Sequence, residues 1–189
     1  MRRCRDEDRA ANPAEQVALA RWAGWGSIPQ VFDDTDDRFA AERAQIRQLL
    51  GTEEAWSQAR RTTLNAHYTS ASVVTAMWSA VRDLGVDRPV RVLEPGCGSG
   101  NFLGFAPPEA VLTGVELDPT TAAIARHLYG ARATIHTGAF EDLRVEDGAF
   151  DVAIGNVPFA KITPHDPHHN RGRHALHNYF LLKSLHLTR

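Results

Sequence analysis

Val90-Arg91-Val92-Leu93-Glu94-Pro95-Gly96-Cys97-Gly98-Ser99-Gly100-Asn101-Phe102 decides the fold. Val90 to Glu94 reads as a short buried strand, and Gly96 to Gly100 as a tight turn at its carboxyl end. Working downstream, Val111 to Glu116 is a second strand. Asp118-Pro119 opens a helix that ends near Gly130. Ala133 to His136 is a third strand, Phe150 to Ile154 a fourth, and Ala175 to His186 a final helix. Strands alternating with helices predict an α/β fold, a Rossmann-like parallel sheet with helical crossovers.

Upstream the pattern is helical and polar. Asn12-Pro13-Ala14-Glu15 carries a capping amide, a proline at the first helical position and a glutamate placed to cap back. That helix is expected to reach about Ala23. Arg38 to Leu50 and Glu53 to Arg61 follow, the first ended by Gly51 and the second capped by Thr52. A further helix begins at Ser70 or Ser72 and presents Val73, Val74, Met77, Trp78, Val81 and Leu84. The expected division is a helical region over 1–64 and a sheet domain over 65–189.

The 189 residues carry a net charge of −2, which excludes a uniformly basic nucleic-acid binder. Lys161, Arg171, Arg173, Lys183 and Arg189 against Asp166 leave a basic end that could face phosphate, although a solvated surface is the commoner meaning. Cys4 and Cys97 form neither a disulfide framework nor a zinc cluster, so a reducing cytoplasmic setting is the default. No apolar run approaches membrane-spanning length.

The turn after the first strand invites a nucleotide. Glu116 ends the next strand, where an acid can accept hydrogen bonds from both ribose hydroxyls of an adenosine ligand. A dinucleotide fits poorly. Its G-x-G-x-x-G fingerprint opens a long helix, which Asn101-Phe102-Leu103-Gly104-Phe105-Ala106-Pro107-Pro108 cannot sustain. Glu94, four residues before Gly98, lies outside that fingerprint and could help hold the ammonium of an amino-acid moiety. Both features point to S-adenosylmethionine. At the exit of the fourth strand, Asn156-Val157-Pro158-Phe159 offers an amide and a ring to a planar base bearing an exocyclic amine. Without a ligand, the glycine segment is simply a tight strand–helix turn.

Leu93 to Phe102, Gly114-Val115-Glu116-Leu117-Asp118-Pro119 and Asn156 to Phe159 resemble the successive motifs of N6-adenine DNA methyltransferases, in the group whose cofactor motif comes first. His67-Tyr68-Thr69-Ser70 resembles the motif of this group that contacts the methionine part of the cofactor. Glu15 to Gly26 and Leu176-His177-Asn178-Tyr179-Phe180 look like stretches of the large helicase–methylase proteins of plasmids and phages. The resemblance runs from about Glu15 onward. It implies S-adenosyl-L-methionine held by Tyr68, Thr69, Glu94, Gly96, Gly98, Gly100, Asn101, Phe102, Glu116, Leu117, Phe140 and Glu141. It implies catalysis by Asn156, Val157, Pro158 and Phe159 on adenine in DNA, no membrane, and helicase and target-recognition regions beyond this chain.

The departures matter. Val157 replaces the first proline of the usual tetrapeptide, though valine still presents the carbonyl the family uses. Ala139 stands where an aspartate often contacts the cofactor adenine, and Glu141 or Asp142 could take over. The family's sheet has seven strands, so four strands imply an incomplete sheet. A similar tetrapeptide serves methyltransferases acting on RNA or on a protein glutamine, and a non-catalytic S-adenosylmethionine-binding fragment is a further reading.

His165, His168, His169, His174 and His177 match no standard zinc spacing, so no metal is expected and a flexible substrate-facing loop is. Trp22 and Trp25 are expected to pack on the sheet domain. Cys97 is expected to be a small buried side chain without a catalytic role.

Overall fold

The structure is a computed structural model that describes residues 1–63, 68–86 and 90–189. The chain divides into two compact units, Met1–Trp22 with Tyr68–Arg189, and Ala23–His67. The division expected between residues 64 and 65 lies outside the described residues, as does His67 of the N-terminal motif.

The first unit begins with α1 (Arg2–Asp6) and α2 (Pro13–Leu19). The expected capping box is present: the Asn12 side chain accepts from the Glu15 amide, and Glu15 accepts from the Asn12 amide. The helix is shorter than expected and stops at Leu19. Residues 1–22 join the sheet unit, where Gln16 Nε2 donates to the His127 carbonyl and Trp22 Nε1 donates to Thr121 Oγ1 at 3.0 Å.

The second unit is helical. It holds α3 (Ala40–Leu50) and α4 (Glu53–Thr62), with Thr52 capping α4 and Gly51 ending α3 at φ 83°. Its core is Val31, Phe32, Trp56 and Ala59. Trp25, expected on the sheet domain, falls within this unit and meets Phe32 edge-on at 5.6 Å. Buried Arg43 organises the preceding loop by donating to the carbonyls of Val31, Asp33 and Asp36.

The sheet unit continues with α5 (Ala71–Asp83), β1 (Arg91–Pro95), α6 (Asn101–Gly104), β2 (Val111–Glu116), α7 (Pro119–Tyr129), β3 (Ala133–Thr137), β4 (Val152–Ala153) and α8 (Leu176–Leu187). The strands are parallel in the order β3-β2-β1-β4. The single turn of α6 agrees with the expectation that no long helix follows Gly100. Alternation along β1 sends Val92 to one face and Leu93 to the other. Val92 joins Val74, Trp78, Phe102, Leu112 and Ala125 in one core, whereas Leu93 joins Val115, Phe140, Tyr179 and Phe180 in a second. The result is helix, sheet and helix in three layers. The order places β1 between the strand carrying Glu116 and the strand leading to Asn156, so the carboxyl ends converge as open α/β sheets require of a ligand crevice.

The loop between β4 and α8, expected to be flexible and substrate-facing, is tied down by two buried polar side chains. Buried Asp166 accepts from the amides of His168 and His169, from Tyr179 Oη at 2.8 Å and from Lys183 Nζ at 3.1 Å. Buried Asn170 donates to the carbonyls of Pro164 and His174 and accepts from the His174 amide. Lys183 is fully buried, so it belongs to this anchor and not to a phosphate-facing surface. No helix among the described residues is long and apolar enough to cross a membrane.

Candidate active site

The crevice is built from the glycine turn after β1. Gly98 sits at φ 56°, and a Cβ there would lie 3.3 Å from the Tyr68 ring. Only glycine combines that left-handed backbone with so close an aromatic neighbour. The Tyr68 ring lies over the turn, with Ser99 beside its hydroxyl. Burial, and then the nearby Glu116 charge, push its hydroxyl up to about 12. Asn101 Nδ2 donates to the Thr69 carbonyl at 3.1 Å, tying the expected N-terminal motif to the start of α6.

Two acids stand at neighbouring strand ends. Glu94 is 3% exposed, and its Oε2 accepts from the Leu103 amide at 3.1 Å, with the Phe102 amide close enough to help. Glu116 accepts from the Gly98 amide at 2.9 Å and from the Asp118 amide at 2.7 Å. Burial pushes the Glu94 carboxyl well above its ordinary value, and the Glu116 charge adds to that. Burial also raises Glu116 to about 6, against the pull of the Asp118 and Gly98 amides.

Among the described residues neither acid has a lysine or arginine partner. A buried carboxylate without a cation is costly, so the crevice favours a positively charged ligand. Each carboxylate also retains acceptor capacity beyond its two amides. An adenosine bearing a sulfonium and an ammonium has both the cationic centres and the ribose donors this pair can use, so the residues fit S-adenosylmethionine.

The tetrapeptide lies at the same end of the sheet. The β4 ladder extends past its short strand through the Ile154 amide, which donates to the Leu93 carbonyl at 2.9 Å. The chain then leaves as Asn156-Val157-Pro158-Phe159. A Cβ on Gly96 would lie 3.8 Å from Pro158 Cδ and 3.6 Å from Phe180 Cε1. The catalytic candidates and the glycine turn are therefore adjacent. Asn156 is exposed, and Phe159 is 68% exposed with its ring stacked on His177 at 5.7 Å and 23°.

Other expected residues fall differently. Tyr68, Thr69, Gly96, Gly98, Gly100, Asn101, Glu94 and Glu116 come together, and Leu117 is exposed beside Glu116. The rings of Phe102 and Phe140 do not reach the crevice. Phe102 is in the first core, and Phe140 is in the second, 4.8 Å from Phe180. Glu141 is half-buried on the turn after β3. A cavity of about 280 Å³ opens there, lined by Val115, Thr137, Gly138, Ala139 and Arg144 among others. It is small beside whole-ligand sites of roughly 300–1,000 Å³. Cys97 is buried, its Sγ filling the space a side chain on Gly114 would need, and burial pushes its thiol well up.

Sequence reading missed His177 as the ring beneath Phe159. The aromatic–histidine spacing of 18 residues carries no periodic signal.

Residues 92–173 match the family model of a methyltransferase domain. The type II methyltransferase M.XamI of Xanthomonas campestris pv. amaranthicola is 34% identical over 116 residues, 57% of this chain and 20% of that protein. The type II methyltransferase M.CvrRI of Paramecium bursaria Chlorella virus XZ-6E is 35% identical over 91 residues, 45% of this chain and 23% of that protein. The chain thus spans about a fifth of the length of these relatives. The solved structure of PH1948 from Pyrococcus horikoshii, a candidate RNA methyltransferase, superposes with a TM-score of 0.50 at 16% identity, covering 92% of this chain and 66% of that one. The fold is the Rossmann-like fold of S-adenosylmethionine-dependent methyltransferases. The matched domain and the donor set together support S-adenosylmethionine as the cofactor.

Proposed function

We propose that this chain transfers a methyl group from S-adenosylmethionine to the N6 of adenine in DNA. One observation carries the reading: Asn156 and Phe159 stand exposed on a segment whose Pro158 abuts the glycine turn at Gly96. The type II methyltransferases among its relatives support DNA as the acceptor.

Glu116 would hold the ribose, while Glu94 and the backbone of Gly96 to Gly100 would hold the amino-acid end. Tyr68 would cover the turn. When bound, the cofactor supplies an electrophilic methyl group on a sulfonium. The chain's own residues prepare the acceptor. The N6 lone pair of adenine is delocalised into the ring, which makes the amine a poor nucleophile. The Asn156 side-chain oxygen accepts one N6 hydrogen and the Val157 carbonyl accepts the other, favouring a pyramidal nitrogen aimed into the crevice. Positioning of this kind is the main source of rate. Phe159, backed by His177, stacks on a base that has left the duplex, a contact worth about 1–3 kcal/mol.

The test is transfer from radiolabelled S-adenosylmethionine to a panel of duplex DNA, RNA and glutamine-bearing protein. Label confined to DNA supports the proposal. Label confined to RNA or protein replaces the acceptor while keeping the chemistry, and binding without transfer to any acceptor leaves only a cofactor-binding unit.

A further inference from the structure

His168 and His169 occupy a turn in the loop before α8, and Asp147 lies in the loop before β4. The fold brings them together. His169 Nε2 is 3.0 Å from Asp147 Oδ1, and His168 Nε2 is 3.6 Å from Asp147 Oδ2. One ligand atom from each of the three residues lies within 4.8 Å of the others. In a tetrahedral zinc site, bonds of about 2.0–2.2 Å place ligand atoms roughly 3.3–3.6 Å apart. The His168 separation falls in that range, and the shorter His169 one, a hydrogen bond to the other Asp147 oxygen, would widen by a few tenths of an ångström around an ion.

A second observation comes from the other side of the ring. The His169 side chain is only 9% exposed, and its Nδ1 is buried without a hydrogen-bond partner. That nitrogen faces Asp166 Oδ2 at 3.4 Å, and Asp166 is itself pinned by Tyr179 and Lys183. Each ring nitrogen therefore has a carboxylate oxygen nearby, but only Nε2 is hydrogen-bonded to one. A neutral imidazole carries one N–H and cannot serve both as a donor. A metal on Nε2 would replace the Asp147 hydrogen bond and leave the ring N–H on Nδ1, the side that faces Asp166. Carboxylate–histidine–metal relays of this kind orient the ligands of protein metal sites.

We propose that Asp147, His168 and His169 form a binding site for one divalent first-row transition ion of the zinc class, with an open position toward solvent. Two imidazoles and a carboxylate are a donor set such ions accept. The ion staples the loop after the Asn156–Phe159 segment to the loop before β4, across a sequence separation of 22 residues between His169 and Asp147. The site is independent of the methyl acceptor. Sequence spacing hides it because the third ligand is a distant aspartate and the two histidines are adjacent.

The test is calorimetric titration of the tag-free, chelator-treated full chain with zinc chloride, followed by cobalt(II) absorption to report the ligand field. One equivalent is expected to bind, with tetrahedral or five-coordinate cobalt bands. Asp147→Ala and His168→Ala, both at exposed positions, are expected to weaken binding by roughly 100-fold or more, beyond the loss typical of an outer-shell partner. His165→Ala and His174→Ala should leave it unchanged. Absence of a one-equivalent isotherm in the parent chain overturns the site. Equal loss in the His165 or His174 variants, or no loss in Asp147→Ala, overturns the ligand assignment.

Discussion

At the residue scale, the chemistry rests on side chains whose roles separate by experiment. Asn156→Ala removes the amide that would accept from the target amine. Transfer should fall by at least about 100-fold, the scale of misplaced reacting groups, while calorimetric affinity for S-adenosylmethionine stays within about threefold. Equal loss of both would sink the role assignment. Gly98→Ala should do the reverse of Asn156→Ala. It places a Cβ 3.3 Å from Tyr68 at a positive φ of 56°, so cofactor affinity drops first.

Glu116 gives a pH signature. Its folded value of about 6 lies above the ordinary 4.5 because burial favours the neutral form. A raised acid contributes stability that is complete below the unfolded value and is lost as pH rises through the folded one. The free protein should therefore lose melting temperature between about pH 4.5 and 6 relative to Glu116→Gln, in which that component is absent. Parallel melting profiles of the two proteins would contradict it. Under the proposed ribose-holding role of Glu116, cofactor binding runs the other way, because the ionised carboxylate is the stronger acceptor. Affinity should weaken as pH falls through about 6.

At the element scale, the sequence made the strands and turns legible because both are local signals. The second strand matches residue for residue, and α7 and α8 shift by one residue at their ends. Glu94, Glu116 and the glycine turn were equally legible, since a parallel sheet must bring its carboxyl ends together. Contacts that cross the chain were not. Lys183 reads as a surface cation, yet its Nζ donates to the Phe140 carbonyl at 2.7 Å and to Asp166. Phe140 stands at a motif position, yet its ring is needed in the core beneath α8. The histidine-rich segment reads as a flexible loop, but two buried side chains, Asp166 and Asn170, bond the amides of His168, His169 and His174 and the carbonyls of Pro164 and His174.

Those anchors make a prediction at this scale. Burial lowers the proton affinity of Lys183, while its amide, hydroxyl and ammonium partners hold Asp166 well below the usual carboxylate range despite its own burial. Asp166→Ala leaves a buried ammonium uncompensated and should cost about 3–5 kcal/mol in urea unfolding. Asp166→Ala combined with Lys183→Met should recover part of that loss. Additive losses would show that the two groups do not act as a pair.

At the scale of the whole molecule, the sheet unit carries the crevice, and the helical unit holds a small separate core around Trp56 and Phe32. A ligand that binds only the folded state stabilises it by about 2.7 kcal/mol at a concentration 100 times its Kd. Saturating S-adenosylmethionine should thus raise the melting temperature by roughly 5–10 °C. The transition should not move with a nicotinamide dinucleotide, whose fingerprint the turn lacks. A shift with the dinucleotide and none with S-adenosylmethionine would reassign the crevice.

The most direct measurement is the identity of the methylated nucleoside. Unmethylated duplex DNA is incubated with the chain and S-adenosylmethionine, digested, and resolved by mass spectrometry, beside an Asn156→Ala control. The predicted product is N6-methyl-2′-deoxyadenosine, present with the parent chain and absent with the variant. Methyl on cytosine, no methylated nucleoside, or equal product from Asn156→Ala would contradict adenine methylation at this site.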